Sequence, residues 1–301
     1  MYRDKVIAQH AFGHADLDTQ ERLTPRHRFR IASHSKSFTS AGVMKLREAR
    51  KLRLDDTIGQ YVTELHPQVA QTTIAQLLSH SAGLTRDGID SGQFIDIRPY
   101  LAKKELLAEL KQPTAIEPNT RFKYSNHGYG LLGLLIEAIT GESYDVWIKR
   151  EIVDAVGLRE TVPNMPIAKG VAFGRGHSRL LPAGKRLVIP GDNPAHAMAA
   201  AAGFVSTATD TARFFGQLAP NAKRSVISGL KLQGNDAKTM AQSTCQPGGL
   251  LRTRDHERQH SRLGLVRSQR RFSRLYLADL RDTRLRGDHD QLDRRLGSVL
   301  G

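Results

Sequence analysis

The sequence predicts an α+β protein, and three observations predict it. Short extended segments open the chain. Helices with a 3.6-residue apolar period fill its middle. Around 170–190, Gly and β-branched residues return with the character of strands and turns. The 301 residues suffice for one large domain or two small ones with a substantial core.

The elements follow in order. "DKVIAQHAFGHAD" reads as a strand entering a turn, and "TPRHRFRIAS" as a second extended piece. A helix is expected from about Ser35 to Arg53, with Phe38, Ala41, Gly42, Ala49 and Leu52 on one face and Leu46 at its edge. "TTIAQLLSHSAGL" reads as a short helix with a threonine cap and a stop at Gly83. Residues 101–112 form another amphipathic helix. "RFKYSNHGYGLLGLLIEAITG" is a loop followed by a strongly apolar helix ending at Gly141, and "ESYDVWIKREIVDAVGL" is the next helix. "GFVSTATDTARFFGQL" combines a strand end, a Thr207-x-x-Asp210 capping pattern and a helix. After about Ser228 the periodicity is lost, and no internal repeat is present.

The net charge of +15 raises the possibility of a nucleic-acid or anionic partner. Its distribution speaks against one. Residues 1–228 carry 30 basic and 22 acidic side chains, whereas residues 229–301 carry 15 and 8. Thirteen arginines fall in the last 51 residues, scattered and with little aromatic surface for stacking bases. No apolar run approaches the roughly 20 residues that span a bilayer, so no membrane partner is expected. "MYRDKVIAQHAFG" contains no apolar leader, which points to a cytoplasmic location. The single cysteine, Cys245, allows no internal disulfide.

Two short patterns carry chemistry. Ser33-His34-Ser35-Lys36 fits S-x-x-K. At a helix N-terminus, residues i and i+3 share a face, so Lys36 can reach the Ser33 hydroxyl. A serine hydroxyl becomes an effective nucleophile when a base takes its proton. The helix N-terminus also offers backbone N–H groups to an oxyanion. A chain of this length holds about one S-x-x-K by chance, and Ser228-Gly229-Leu230-Lys231 is a second. The plain alternative is that Ser33 or Ser35 caps the helix. The other pattern is Tyr124-Ser125-Asn126, before the apolar helix. A tyrosine beside an ammonium can serve as general base, and an asparagine amide can hold a carbonyl or orient a lysine. By itself it reads better as a turn with a half-buried tyrosine.

The two patterns stand about ninety residues apart with "LLSHSAGL" between them. Together with "FRIASHSKSFTSAGVMKL", "KLRLDD", "TIAQLLSHSAGL", "EPNTRFKYSNHGYGLLGLLIEAITG" and "AAGFVSTATDTARF", over about residues 10–228, they resemble the serine β-lactamase and penicillin-binding-protein superfamily. The likeness is to its class C-like branch, which includes esterases and D-aminopeptidases. It implies a β-lactamase/transpeptidase-like fold, an antiparallel sheet flanked by helices plus a helical region. It implies that Ser33 is acylated, that Lys36 and Tyr124 share the general-base role, and that Asn126 binds substrate or orients Lys36. The implied reaction is hydrolysis of an ester, amide or β-lactam through a seryl acyl-enzyme, on a small-molecule or peptide acyl substrate, with no metal or cofactor. His34, His80 and His127 lack metal-ligand spacing, and His80 reads as structural.

The chain departs from this family in two respects: its N-terminus looks short, lacking the helix and first strand that family members usually place before the strand with Val6 and Ile7, and a C-terminal motif is missing. The family carries a third motif, K-T-G or H-x-G, on the strand lining the active site. Here Lys238 begins "KTM", and His256, His260 and His289 begin "HER", "HSR" and "HDQ". The genetic code suggests a reason. "VRSQRRF", Val266 to Phe272, can be encoded GTT CGG TCA CAG CGG CGG TTT. Read one base later, this gives Phe-Gly-His-Ser-Gly-Gly. "SRLYLADLRDT" and "LQGNDAK" also shift into family-like segments. A one-base frameshift near Ser228–Gly229 would account for the missing motif, the arginine excess and the lost periodicity together. The expected organisation is therefore a catalytic domain over 1–228, short at its N-terminus, and a basic aperiodic tail over 229–301, with the C-terminal strands not spelled out. On this reading the chain as written is weakly active or inactive. The alternatives are a noncatalytic penicillin-binding-like protein and a basic nucleic-acid-binding protein.

Overall fold

The computed structural model describes residues 5–87, 92–182 and 184–218. The domain boundary at 228, the tail and the missing third motif lie outside the described residues.

Strand β1 (His14–Asp16) pairs antiparallel with β2 (Glu21–Arg22). Strand β3 (Phe29–Arg30) leads through one tight turn into helix α1 (Ser35–Glu48). Helices α2 (Pro67–Ala70), α3 (Ile74–Leu78) and α4 (Lys103–Leu110) follow, then α5 (Asn126–Thr140) and α6 (Tyr144–Ile148). Strands β4 (Gly176–His177) and β5 (Val188–Ile189) form a hairpin. Helix α7 (Ala199–Ala202), strand β6 (Val205–Ser206) and helix α8 (Ala208–Gln217) complete the described chain. Among the described residues the sheets are three antiparallel pairs, β1–β2, β3–β6 and β4–β5.

The core is helical. From Asn126 to Ile136 every residue of α5 is buried, which its apolar sequence on all sides allows. It packs on α1, α3 and α7. The approach to α7 is close: a Cβ at Gly133 would lie 2.9 Å from that of Ala200. Helix α1 is buried from Ser35 to Met44 although much of it is polar. The hydroxyls of Ser35, Thr39 and Ser40 are satisfied internally, as burial favours. Thr39 donates to Ala200 O at 2.7 Å and lies 2.7 Å from the Tyr144 hydroxyl, and Ser40 lies 3.1 Å from that of Tyr129. Phe38 stacks between Phe204 and Phe214, with centroids 4.4 and 3.7 Å away. This ties α1 to the segment around β6 and to α8.

Several expected boundaries move. The first helix ends at Glu48, not Arg53. Arg50 turns left-handed at φ 56°, and Lys51 N donates back to Leu46 O at 2.9 Å, closing a Schellman-type cap. Leu52 is buried, but beyond the helix. Helix α3 starts at the Thr73 cap with a reciprocal Gln76 bond, as expected. It stops at Leu78 rather than Gly83, because His80 takes φ 58°. Gly83, at φ 74°, serves a different need: a Cβ there would lie 2.1 Å from Ile116 O. The helix expected over 142–158 is α6 followed by a wider π turn over Lys149–Val153. The strand expected from Asp4 forms only at His14–Asp16, and Val6 and Ile7 belong to no strand. Helices α4, α5 and α8 form as expected, with Thr207 accepting from Asp210 N at 3.2 Å. Among the described residues no helix is long and apolar enough to cross a membrane.

Candidate active site

Ser33 sits where strand becomes helix. Strand β3 pairs with β6, and Ile31 N donates to Phe204 O at 2.9 Å. The next residue, Ala32, has φ 45°, a sparsely populated region for a residue with a Cβ. That turn lifts Ser33 clear of the sheet, exposed, just ahead of α1. The capping reading fails here, because no side-chain cap bond is made at the start of α1. Ser35 donates to Ala32 O at 2.6 Å and accepts from Phe204 N at 3.1 Å. Ser33 Oγ instead lies 2.5 Å from the Tyr124 hydroxyl and 3.4 Å from Lys36 Nζ.

Lys36 is only 1% exposed. Its Nζ donates to Asn126 Oδ1 at 2.6 Å and to Ala201 O at 2.8 Å. An ammonium has three donors. Two are directed at carbonyl oxygens, and the third position faces Ser33. Helix α7 thus supplies a ligand to the lysine through its backbone.

Tyr124 and Asn126 are set by the loop that enters α5. Ser125 is the N-cap, accepting from Gly128 N at 2.9 Å and donating to Thr85 O at 2.6 Å. Ser125 N donates to His80 Nδ1 at 3.2 Å, and Lys123 N donates to His80 O at 2.7 Å. The His80 ring lies against Tyr124, Phe122 and Tyr129, with centroids 4.5, 5.6 and 5.1 Å away. His80 is therefore a buried support for the tyrosine loop, in keeping with its reading as structural. Lys36 Nζ and the Arg86 guanidinium lie 4.8 and 5.8 Å from the Tyr124 ring centroid.

The remaining histidines stand apart from this cluster. The His34 ring meets Phe215 edge-on at 5.5 Å, and burial lowers its pKa. His127 is fully buried, and its imidazole is pushed down to about 4. Desolvation of the cation is the main cause; the Asp87 charge opposes it and Arg98 adds to it. Glu109 Oε2 is 3.2 Å from His127 Nε2, but Glu109 is partly solvated and its attraction does not offset full burial of the ring. Among the described residues no group of three His, Cys, Asp or Glu could hold a metal ion.

All four residues singled out in the sequence, Ser33, Lys36, Tyr124 and Asn126, meet in one cluster. Sequence reasoning missed Arg86 and Asp87. Asp87 Oδ1 accepts a hydrogen bond from Asn126 Nδ2, and Asp87 Oδ2 lies 2.9 Å from Arg86 Nε. An R-D pair in a loop has no period or spacing that marks it.

A helical core carrying S-x-x-K at the start of α1, with Y-x-N in direct contact with it and small antiparallel strand pairs beside it, defines a β-lactamase/transpeptidase-like protein. A family model described as Beta-lactamase matches residues 1–273, and the chain belongs to that family. It is similar to the protein flp of Staphylococcus aureus strain MW2, 30% identical over 154 residues, 48% of this chain and 31% of that protein. It is also similar to penicillin-binding protein 4* of Bacillus subtilis strain 168, 31% identical over 52% of this chain and 35% of the relative. The chain thus spans about a third of the length of the curated relatives it matches. Among solved structures, an octameric penicillin-binding protein homologue from Pyrococcus abyssi superposes with TM-score 0.62 at 28% identity, over 70% of this chain and 49% of that one. The D-amino acid amidase of Ochrobactrum anthropi SV3 gives 0.60 at 27%, over 69% and 61%.

Proposed function

We propose that the protein is a serine hydrolase that cleaves an ester, amide or β-lactam through an acyl-enzyme on Ser33. The observation that carries this reading is the placement of Ser33 Oγ between the Tyr124 hydroxyl at 2.5 Å and Lys36 Nζ at 3.4 Å. In the first step Tyr124, assisted by Lys36, takes the Ser33 proton as Oγ attacks the acyl carbon. The same proton then goes to the leaving group. In the second step water attacks the ester by the reverse relay. Positive charge stabilises a phenolate, and Lys36 and Arg86 supply it beside Tyr124. Asn126 orients Lys36 and retains amide donor capacity for a substrate carbonyl. The likeness to a D-amino acid amidase makes D-amino-acid amides the first substrates to try, beside aryl esters and a chromogenic cephalosporin.

The tail enters this reading as a second part. Residues 229–301 lack a K-T-G or H-x-G motif, and we propose that a one-base frameshift near codon 229 removed it. Loss of one oxyanion donor costs about 10²–10³ in rate, so the chain as written turns over slowly. A missing third motif equally suits the alternative, a noncatalytic penicillin-binding-like protein that keeps the fold. Hydrolysis assays separate these when run on wild type, Ser33→Ala and Tyr124→Phe. Hydrolase activity predicts measurable turnover, none with Ser33→Ala, and a fall of about 10²–10⁴ with Tyr124→Phe. Turnover that survives Ser33→Ala would refute the assignment.

A further inference from the structure

Three consecutive loop residues hold the start of α5. Thr85 O accepts from Ser125 Oγ at 2.6 Å, Arg86 O accepts from Asn126 N at 2.9 Å, and Asp87 Oδ1 accepts from Asn126 Nδ2. The first two fix where Asn126 stands. The third acts on which way its amide points. Asn126 is 3% exposed and Asp87 is 9% exposed, so water competes little for either. An amide has one acceptor end and one donor end. In the observed orientation Oδ1 meets the Lys36 ammonium and Nδ2 meets a carboxylate. Turned over, the amide would set N–H groups against the ammonium and an oxygen against the carboxylate. Both contacts would become repulsive. Lys36 alone gives the amide a preference, but a proton leaving Lys36 would weaken it.

We propose that Asp87 is a positioning residue that fixes the Asn126 amide, so that Oδ1 faces Lys36 and holds its Nζ toward Ser33. Its other oxygen lies 2.9 Å from Arg86 Nε, and the Arg86 guanidinium lies over the Tyr124 ring. One carboxylate therefore braces both sides of the Ser33 site. Because Nδ2 carries two protons, the bond to Asp87 leaves one for a substrate carbonyl. The inference rests on the acyl-enzyme reading for its kinetic consequence but not for its structural one.

Two measurements on the full chain test it. The first is the rate of Ser33 acylation by a fluorophosphonate, followed by peptide mass, in wild type, Asp87→Ala and Asp87→Asn. Misplacement by an ångström costs up to about 10² in rate, so Asp87→Ala is expected to lower the limiting acylation rate at least about tenfold. Half-saturation should stay within about twofold, since Asp87 is placed to act through Asn126. Asp87→Asn keeps an oxygen acceptor and should recover most of the rate. The second is the ¹⁵N–¹H signal pair of the Asn126 side-chain amide, assigned by its loss in Asn126→Asp. One proton should be shifted and protected in wild type and in Asp87→Asn, and neither in Asp87→Ala. This readout needs no activity, so it decides the inference even if Ser33 proves inert. Acylation by Asp87→Ala at the wild-type rate, or an unchanged amide signal pair, would overturn it. So would an equal loss in Asp87→Ala and Asp87→Asn.

Discussion

Lys36 shows how much one residue depends on its surroundings. A buried ammonium is tolerated only when its donors are met, and Asn126 Oδ1 and Ala201 O meet two of them. His127, the next residue along α5 from Asn126, meets the partly solvated Glu109 carboxylate at 3.2 Å, which does not offset its burial, and its imidazole is pushed down to about 4. Its folded pKa lies below the ordinary value of 6.5, so the folded state binds fewer protons than the unfolded one. That contribution to stability is fully present above pH 6.5 and is lost as pH falls toward 4. It amounts to about 3 kcal/mol at full effect. We expect urea unfolding to show stability falling across this window, with a shallower fall in His127→Gln. Equal slopes would remove His127 as the cause. Residue-scale chemistry was legible in the sequence where it was local. Ser33 and Lys36 are three apart on one helical face, and Tyr124 and Asn126 share one short motif. Asp87 was not legible, because its bond to Asn126 spans 39 positions and depends on where a loop folds back.

At the scale of elements, apolar period located the helices well and their ends poorly. Helix α5 was legible because it is apolar on all sides and ends at Gly141. The ends of α1 and α3 were not, since Arg50 and His80 adopt left-handed backbone without being glycine. Arg50 is held there by the local bonds of the cap, and His80 by its packing on the tyrosine loop. The strands were hardest. They are two or three residues long, and β3 exists through its partner β6, nearly 180 positions away. Gly83 offers a test of how the elements support the site. Gly83→Ala forces a Cβ against Ile116 O at a strained φ. It should cost about 2 kcal/mol or more in thermal unfolding. It should also slow Ser33 acylation, because Ser81 O and His80 O anchor Asn119 and Lys123 just ahead of Tyr124. Thr73→Ala, at the cap of α3, should cost only about 1 kcal/mol and leave acylation unchanged. A Gly83→Ala protein as stable as wild type would contradict the packing described.

For the whole molecule, the charge balance and the motif inventory point the same way. The basicity is concentrated in residues 229–301, where the arginines follow no helical stripe and the third family motif is missing. The frameshift proposal predicts that resequencing the coding DNA from codon 220 past the stop will reveal one missing or extra base near codon 229. The restored frame should read Gly-His-Ser-Gly-Gly. An intact frame would leave the motif truly absent and favour a noncatalytic protein that keeps the fold, with Ser33 and Tyr124 as relics. The fold as a whole was legible because "FRIASHSKSFTSAGVMKL" and "EPNTRFKYSNHGYGLLGLLIEAITG" carry both packing and chemistry. Substrate choice was not, because the residues around 85–100 and 160–195 follow no period and carry no readable code.

The central claim is that Ser33 is a nucleophile, and peptide mass spectrometry after exposure to a fluorophosphonate or a penicillin tests it most directly. The account predicts one adduct per chain, on the peptide containing Ser33, absent in Ser33→Ala and strongly slowed in Tyr124→Phe. No adduct with either reagent, or one on a different serine, would contradict it.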